Sequence, residues 1–351
     1  MKSFRSPLLA LAGFLSLGAP HTRAQEAPPD PQMKAVLDEL AALKGKPIET
    51  LTPEEARKQP TPADAVKALM KKQDKKGPEK VGDVDDITIS ISSGKLDARV
   101  YTPEGDGPFP VILYIHGGGW VIADLDVYDS TPRALCNAAK AVVISTHYRQ
   151  APEHKFPAAH EDVYSVYKWV LANATKYKGD DKKVALVGES AGANLAIGIS
   201  LKAKDEGIQL PVHQVLVYPV ASNDLDTPSE SENAHAKPLN RAMMKWFVEH
   251  TFAKPEDSES RLISLVKSAD VSGLPPTTVI TAQIDPLRSD GEALAKKLES
   301  ADVAVTYKNF DGVTHEFFGM GAVVDKAKEA VQLAADNLQA SFKGAPAATV
   351  K

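Results

Sequence analysis

The stretch "LVGESAGANLA", residues 186–196, passes from apolar residues through Gly-Glu-Ser-Ala-Gly into an Ala/Leu run of helical character. In Gly188-Glu189-Ser190-Ala191-Gly192 a strand ending near Val187 meets a helix starting near Ala191, the strand–turn–helix setting that gives G-x-S-x-G its meaning. So tight a turn requires small residues at 188 and 192, and its strain pushes a hydroxyl clear of the backbone. Ser190 is therefore expected at the carboxyl end of a central strand, beside the positive end of a helix, as a nucleophile rather than a helix cap.

Outward from this turn the chain alternates short β-branched runs with helical stretches. "ITISIS" (87–92) and "KLDARVYT" (95–102) read as a hairpin joined across Ser93-Gly94. "PVILYIH" (110–116), "AVVISTHY" (141–148), "KVALVGE" (183–189), "HQVLVYP" (213–219), "TTVITA" (277–282) and "VAVTYKNF" (303–310) follow. Most of these are apolar almost throughout, as strands buried on both faces are, and helices such as 290–300 and 325–341 separate them. An antiparallel entry followed by strand–helix repeats gives an α/β class with a mostly parallel, doubly wound, eight-stranded sheet. Two segments fall outside the rhythm: amphipathic helices over 32–72, and residues 223–254 between the sixth and seventh strands. On the residues alone they either fold over the sheet as a lid or pack at its periphery.

A serine hydroxyl needs a base to take its proton, and the base needs an orienting acid. In this architecture the order is serine, then acid, then histidine, each just after a strand. His213 begins a strand, and His235 and His250 lie in the 223–254 segment. His315 in "FDGVTHEFF" follows the last strand in a Gly-containing loop and is the expected base. Asp285 comes straight after "TTVITA" and is the expected acid; its rival Asp290 reads as the cap or first turn of the next helix. Donors for an oxyanion come from "YIHGGGW" (114–120), where Gly117, Gly118 and Gly119 let backbone N–H groups converge, and from the amide of Ala191. The loop lacks both phosphate-binding patterns, G-x-G-x-x-G and G-x-x-x-x-G-K-[ST].

The N-terminus carries Lys2 and Arg5, an apolar run from about Leu8 to Leu17 and small residues before Ala24, the pattern of a signal peptide over 1–24. Its apolar run is about half the ~20 residues a membrane span needs, so an exported protein, periplasmic or secreted, without a stable span is expected. Losing Lys2, Arg5 and Arg23 would move the formal charge from −5 to −8, which argues against a nucleic-acid partner. The single cysteine, Cys136, cannot form an intrachain disulfide, so the fold depends on its core.

Five stretches together resemble the hormone-sensitive-lipase-like branch of the α/β-hydrolases, the bacterial family IV carboxylesterases: "HGGGWVIADLD" (116–126), "HYRQAPEHKFPAAHEDVY" (147–164), "GESAGANLA" (188–196), "GLPPTTVITAQIDPLRSDGEALAKKL" (273–298) and "GVTHEFF" (312–318). The resemblance implies a serine esterase that needs no cofactor or metal, acting on small-molecule esters of short or medium acyl chain, with Ser190, Asp285 and His315 as triad. It implies oxyanion donors at Gly118, Gly119 and Ala191, with His116 and Gly117 shaping the loop, and it permits a homodimer. Residues 25–85 and about 223–254 look like the family's cap on a catalytic domain over 86–342, followed by a flexible tail over 343–351. Trp120, Trp246, Phe247, Leu287 and Phe317 are candidates for pocket walls or ordinary core.

Three positions depart from the family pattern. Glu189 stands where Asp is frequent, Glu316 replaces Gly in "HGF", and Tyr128 stands where many members have His. Arg149, Glu153 and Asp162 are expected to form buried ion pairs beneath the site. An amide or peptide hydrolase on the same triad, and a non-catalytic binding protein with a capped pocket, are the alternative readings.

Overall fold

The computed structural model describes residues 27–344. Residues 1–24, expected to be a signal peptide, and the residues beyond Gly344 lie outside the described residues. Eight strands form one sheet in the order β1-β2-β4-β3-β5-β6-β7-β8. They are β1 (Asp83–Ile91), β2 (Gly94–Thr102), β3 (Phe109–Ile115), β4 (Val142–Thr146), β5 (Gly179–Glu189), β6 (Gln214–Val217), β7 (Thr277–Ile284) and β8 (Val305–Thr314). β2 runs antiparallel to both β1 and β4, and every later pair is parallel. In the opening hairpin Ile91 lies opposite Gly94, so the turn is Ser92-Ser93, one residue earlier than expected. The edge strand β1 exposes Asp83, Asp85 and Asp86, charges that discourage pairing with another chain.

Alternation along the central strands divides the core between two faces. Val111, Leu113 and Ile115 of β3 join Leu186 and Leu216 on one side, against α5 (Ala158–Asn173), α6 (Ala191–Glu206) and α10 (Arg288–Ser300). Ile112 and Tyr114 join Val187 and Val215 on the other, against α4 (Ser130–Ala139) and α11 (Asp325–Phe342). Both faces are covered, which is why these strands read as continuous apolar runs.

The N-terminal segment forms α1 (Pro31–Ala42), α2 (Pro53–Ala56) and α3 (Pro62–Lys72). Each helix begins with a polar cap followed by Pro: Asp30 accepts from Met33 N, and Thr52 and Thr61 make reciprocal capping boxes with Glu55 and Asp64. Met33, Val36, Ala65 and Leu69 pack into the α4/α11 side of the core. The 223–254 segment forms α7 (Pro228–Glu232) and α8 (Arg241–Thr251), and α9 (Leu265–Ser268) precedes β7.

Chain direction places the site. From β3 the chain crosses to β4 on one side and returns to β5 on the other, so the loops after β3 and β5 diverge and open a crevice at their carboxyl ends. Residues 116–119 leave β3 there, and Ser190 leaves β5 there.

Candidate active site

Ser190 occupies the elbow with φ 57° and ψ −120°, a strained conformation for a residue with a Cβ. The elbow is closed on its neighbours: a Cβ at Gly188 would lie 2.2 Å from Gly192 O, and one at Gly192 2.1 Å from Ile115 O. Ser190 N donates to Val217 O on β6, which fixes the turn to the sheet.

Ser190 Oγ donates to His315 Nε2 at 2.9 Å, and His315 Nδ1 donates to Asp285 Oδ2 at 2.7 Å. The two partners are held by strand ends. β7 continues to Ile284 and β8 to Thr314, paired with each other across a bulge, so Asp285 and His315 follow directly from neighbouring strands. His315 thus leaves the sheet itself rather than a loop beyond residue 310. Asp285 is fully buried, and its Oδ1 accepts the Leu287 N–H at 2.8 Å. Burial opposes charge on His315, but Asp285, aided by Glu316 and Glu189, holds its pKa above the ordinary histidine value. The trio can therefore shuttle a proton from a serine hydroxyl to a poised imidazole and back. Asp290 sits in the first turn of α10 and accepts from Ala221 N and Ser222 N, tying down the chain after β6.

The glycine loop is aimed by its carbonyls. Gly117 O accepts from Tyr148 Oη at 3.0 Å and from His116 Nδ1 at 2.9 Å, and Gly118 O accepts from Val121 N and Ile122 N. In a trans peptide the following N–H points the opposite way, so the Gly118 and Gly119 amides turn away from those anchors. Gly118 and Gly119 border the cavity that contains Ser190 and His315. Ala191 opens α6, where its N–H has no intrahelical acceptor. Gly117 does not border the cavity: it packs behind Ser190, where an added Cβ would lie 2.4 Å from Tyr128 Oη. His116 stays neutral, with its pKa lowered to about 3 by burial and by His147, whose Nδ1 donates to His116 Nε2. Tyr148 and His147 were missed as supports; the hydroxyl and imidazole side by side in "THYRQ", directly after β4, were the available signal.

The cavity holds about 510 Å³ and is bordered by both unusual segments, Leu37 and Leu40 from α1 and Met243, Met244 and Phe247 from α8. Among the candidate wall residues, Trp120 and Phe247 line it. Trp246 does not, because α8 turns Met243 and Phe247 inward, one turn apart; its Nε1 instead donates to Leu51 O and joins the two covering segments. Leu287 contributes its backbone to Asp285 rather than a side chain to the cavity, and Phe317 packs in the core against Tyr218 and Phe310.

Beneath Ser190, the buried Glu189 carboxylate accepts from Tyr114 Oη at 2.5 Å and also from Tyr218 Oη. Burial and Glu316 push its pKa up to about 7. Arg149 pairs with the fully buried Asp162, which also accepts from Ser93 and so ties the loop after β4 to α5 and the hairpin. Glu153 is not part of that pair. It is exposed and pairs with Arg57, because the loop between β4 and α5 turns it toward the N-terminal helices.

A family model described as the alpha/beta hydrolase fold matches residues 112–319. Carboxylesterase NlhH of Mycobacterium tuberculosis is 37% identical over 239 residues, 67% of this chain and 75% of that protein. Ethyl acetate hydrolase of Pseudomonas putida is 32% identical over 262 residues, 73% of this chain and 82% of its own. The solved structure of a Pyrobaculum calidifontis esterase superposes with a TM-score of 0.80 at 36% identity, covering 89% of this chain and 99% of that one. The chain belongs to the hormone-sensitive-lipase-like, family IV carboxylesterases of the α/β-hydrolase fold.

Proposed function

We propose that this carboxylesterase cleaves esters of short to medium acyl chain through an acyl-enzyme on Ser190. The observation that carries the reading is the continuous Ser190–His315–Asp285 hydrogen-bond chain at the wall of a covered cavity. His315 Nε2 takes the Ser190 proton as Oγ bonds to the ester carbonyl carbon. The carbonyl π electrons move onto oxygen, where the Gly118, Gly119 and Ala191 amides stabilise the anion. When the carbonyl re-forms, the bond to the alkoxy oxygen breaks and His315 returns the proton to that oxygen. Water then repeats the two steps on the acyl-enzyme, releasing the acid and restoring Ser190.

The cover supports the chain-length part of the proposal. Leu37, Leu40, Leu239, Met243, Met244 and Phe247 close an apolar space of about 510 Å³, the size of a small-molecule site rather than an open lipid-binding groove. Export belongs to the same proposal, supported by Lys2, Arg5 and the apolar run from about Leu8 to Leu17. Among the described residues no helix is long and apolar enough to cross a membrane.

Hydrolysis of p-nitrophenyl esters from acetate to palmitate, by the wild type and Ser190→Ala, tests the reading. Turnover peaking at short or medium chains and lost in the variant supports it. Activity undiminished in Ser190→Ala, or rising steadily to the longest chain, overturns it.

A further inference from the structure

Glu316 breaks two rules at once. It adopts φ 70°, the left-handed region where a side chain is strained, and it places a carboxyl group against an esterase cavity that is otherwise largely apolar. Observed strain of this kind, held in place by its surroundings, points to use. Here the holder is Tyr128, whose Oη donates to Glu316 Oε1 at 2.6 Å. The two residues together form part of the wall between the Ser190 cavity and a second space of about 1170 Å³ bordered by α3, α4 and α11.

The position is defined by the residue before it. His315 returns its proton to the leaving oxygen, so the departing alcohol lies on the His315 side of the cavity, and Glu316, the next residue in the chain, borders the same cavity. On the glycine-loop side the neighbour is instead the Phe247 ring, 2.2 Å from where a Gly119 Cβ would lie. The two sides thus differ in polarity.

Burial pushes the Glu316 carboxyl above its ordinary pKa and Asp285 adds to that rise, while His315 and the Tyr128 hydroxyl favour the carboxylate; none of these groups is a lysine or arginine that would neutralise it once ionised. Of the basic residues bordering the cavity, Arg57 is engaged by Glu153, and Lys46 and Lys237 are exposed to solvent. Tyr128 also borders the cavity, and an aromatic ring beside a carboxylate is a favourable setting for a cation.

We propose that Glu316, held by Tyr128, is a specificity-determining residue that faces the departing alcohol and favours esters of alcohols bearing a cationic group over apolar isosteres. The inference rests on the Ser190 acyl-enzyme reading. Its test compares kcat/KM at pH 8 for acetylcholine and 3,3-dimethylbutyl acetate, which share a shape and differ by nitrogen for carbon. The wild type is expected to prefer the charged ester, and Glu316→Gln to lower the charged-to-neutral ratio by about tenfold. Because the result is a ratio, a loss common to both substrates cancels. Should Glu316→Gln fold poorly, Glu316→Gly removes the carboxyl at a φ that glycine adopts freely. A wild-type preference for the neutral ester, or a ratio unchanged in the variant, overturns the proposal. Undiminished hydrolysis of the neutral ester by Ser190→Ala would instead overturn the acyl-enzyme reading.

Discussion

Arg57 reaches from the end of α2 to Glu153 with two hydrogen bonds of 2.8 and 2.7 Å, and in the same grip donates to the carbonyls of Val121 and Ala151. One guanidinium therefore joins the N-terminal helices to the segments after the glycine loop and after β4. The ion pair is partly exposed and contributes ~1 kcal/mol or less. The two carbonyl contacts add charged hydrogen bonds that water replaces only in part. Arg57→Ala is expected to destabilise the protein by ~2 kcal/mol, and Glu153→Ala by clearly less, as read by denaturant melts. Equal losses would show that the ion pair, and not the carbonyl contacts, fastens these helices.

The second prediction concerns pH. His315 works as a base only when neutral, and Asp285 helps keep its pKa above the ordinary ~6.5. Activity is accordingly retained at high pH and lost as pH falls through that raised value, so the acid limb of kcat/KM should lie above pH ~6.5. In Asp285→Asn the carboxylate that favours imidazolium is gone while burial still opposes it, so the limb should move to lower pH. The same variant should lose turnover by about 10⁴-fold, since the imidazole loses the partner that fixes its tautomer. A limb that stays in place would detach Asp285 from His315.

How much of this was legible in the chain depended on whether a feature was local. The elbow could be read because Gly188, Ser190 and Gly192 lie within five residues and a tight turn admits few alternatives. Asp285 and His315 followed from strand order, although both strands run further than their apolar runs: β8 continues through polar Asn309 and Asp311 because β7 pairs with it across a bulge. Side-chain direction was not legible. Trp246, Leu287 and Phe317 are apolar residues near the site, but rotation of α8, a backbone contact and a core aromatic cluster turn them away from the cavity. Glu153 was misplaced for a related reason, since its partner Arg57 lies 96 residues away and no local pattern encodes that contact.

Glu189 yields a prediction about stability. Its pKa in the folded protein is about 7, above the ordinary 4.5, because burial and Glu316 outweigh the hydrogen bonds from Tyr114 and Tyr218. A raised pKa means that folding favours the protonated acid, so its contribution is complete below pH ~4.5 and disappears as pH rises through ~7. Glu189→Gln is neutral at every pH. Its melting temperature relative to the wild type should therefore rise between pH 6 and pH 8, whichever protein is the more stable at the start. A difference that stays flat across that range would mean that the tyrosine hydroxyls keep Glu189 ionised throughout.

The glycine loop separates two kinds of steric limit. At Gly118 a Cβ would lie 2.2 Å from the backbone oxygen of Ile122 at φ 95°, so nothing but movement of the loop can admit it. At Gly119 the obstacle is a side chain, the Phe247 ring 2.2 Å away, and φ is 58°, a left-handed conformation that alanine adopts at a cost of about 1–2 kcal/mol. Both single alanine variants displace an amide from the proposed oxyanion position and should lower kcat by ~10²-fold or more. Only the second has a remedy. Gly119→Ala combined with Phe247→Ala should recover part of the lost turnover, judged against Phe247→Ala alone, whereas Gly118→Ala with Phe247→Ala should recover none. Recovery in both would place the clash elsewhere, and full activity in Gly118→Ala would remove this loop from the anion-stabilising role.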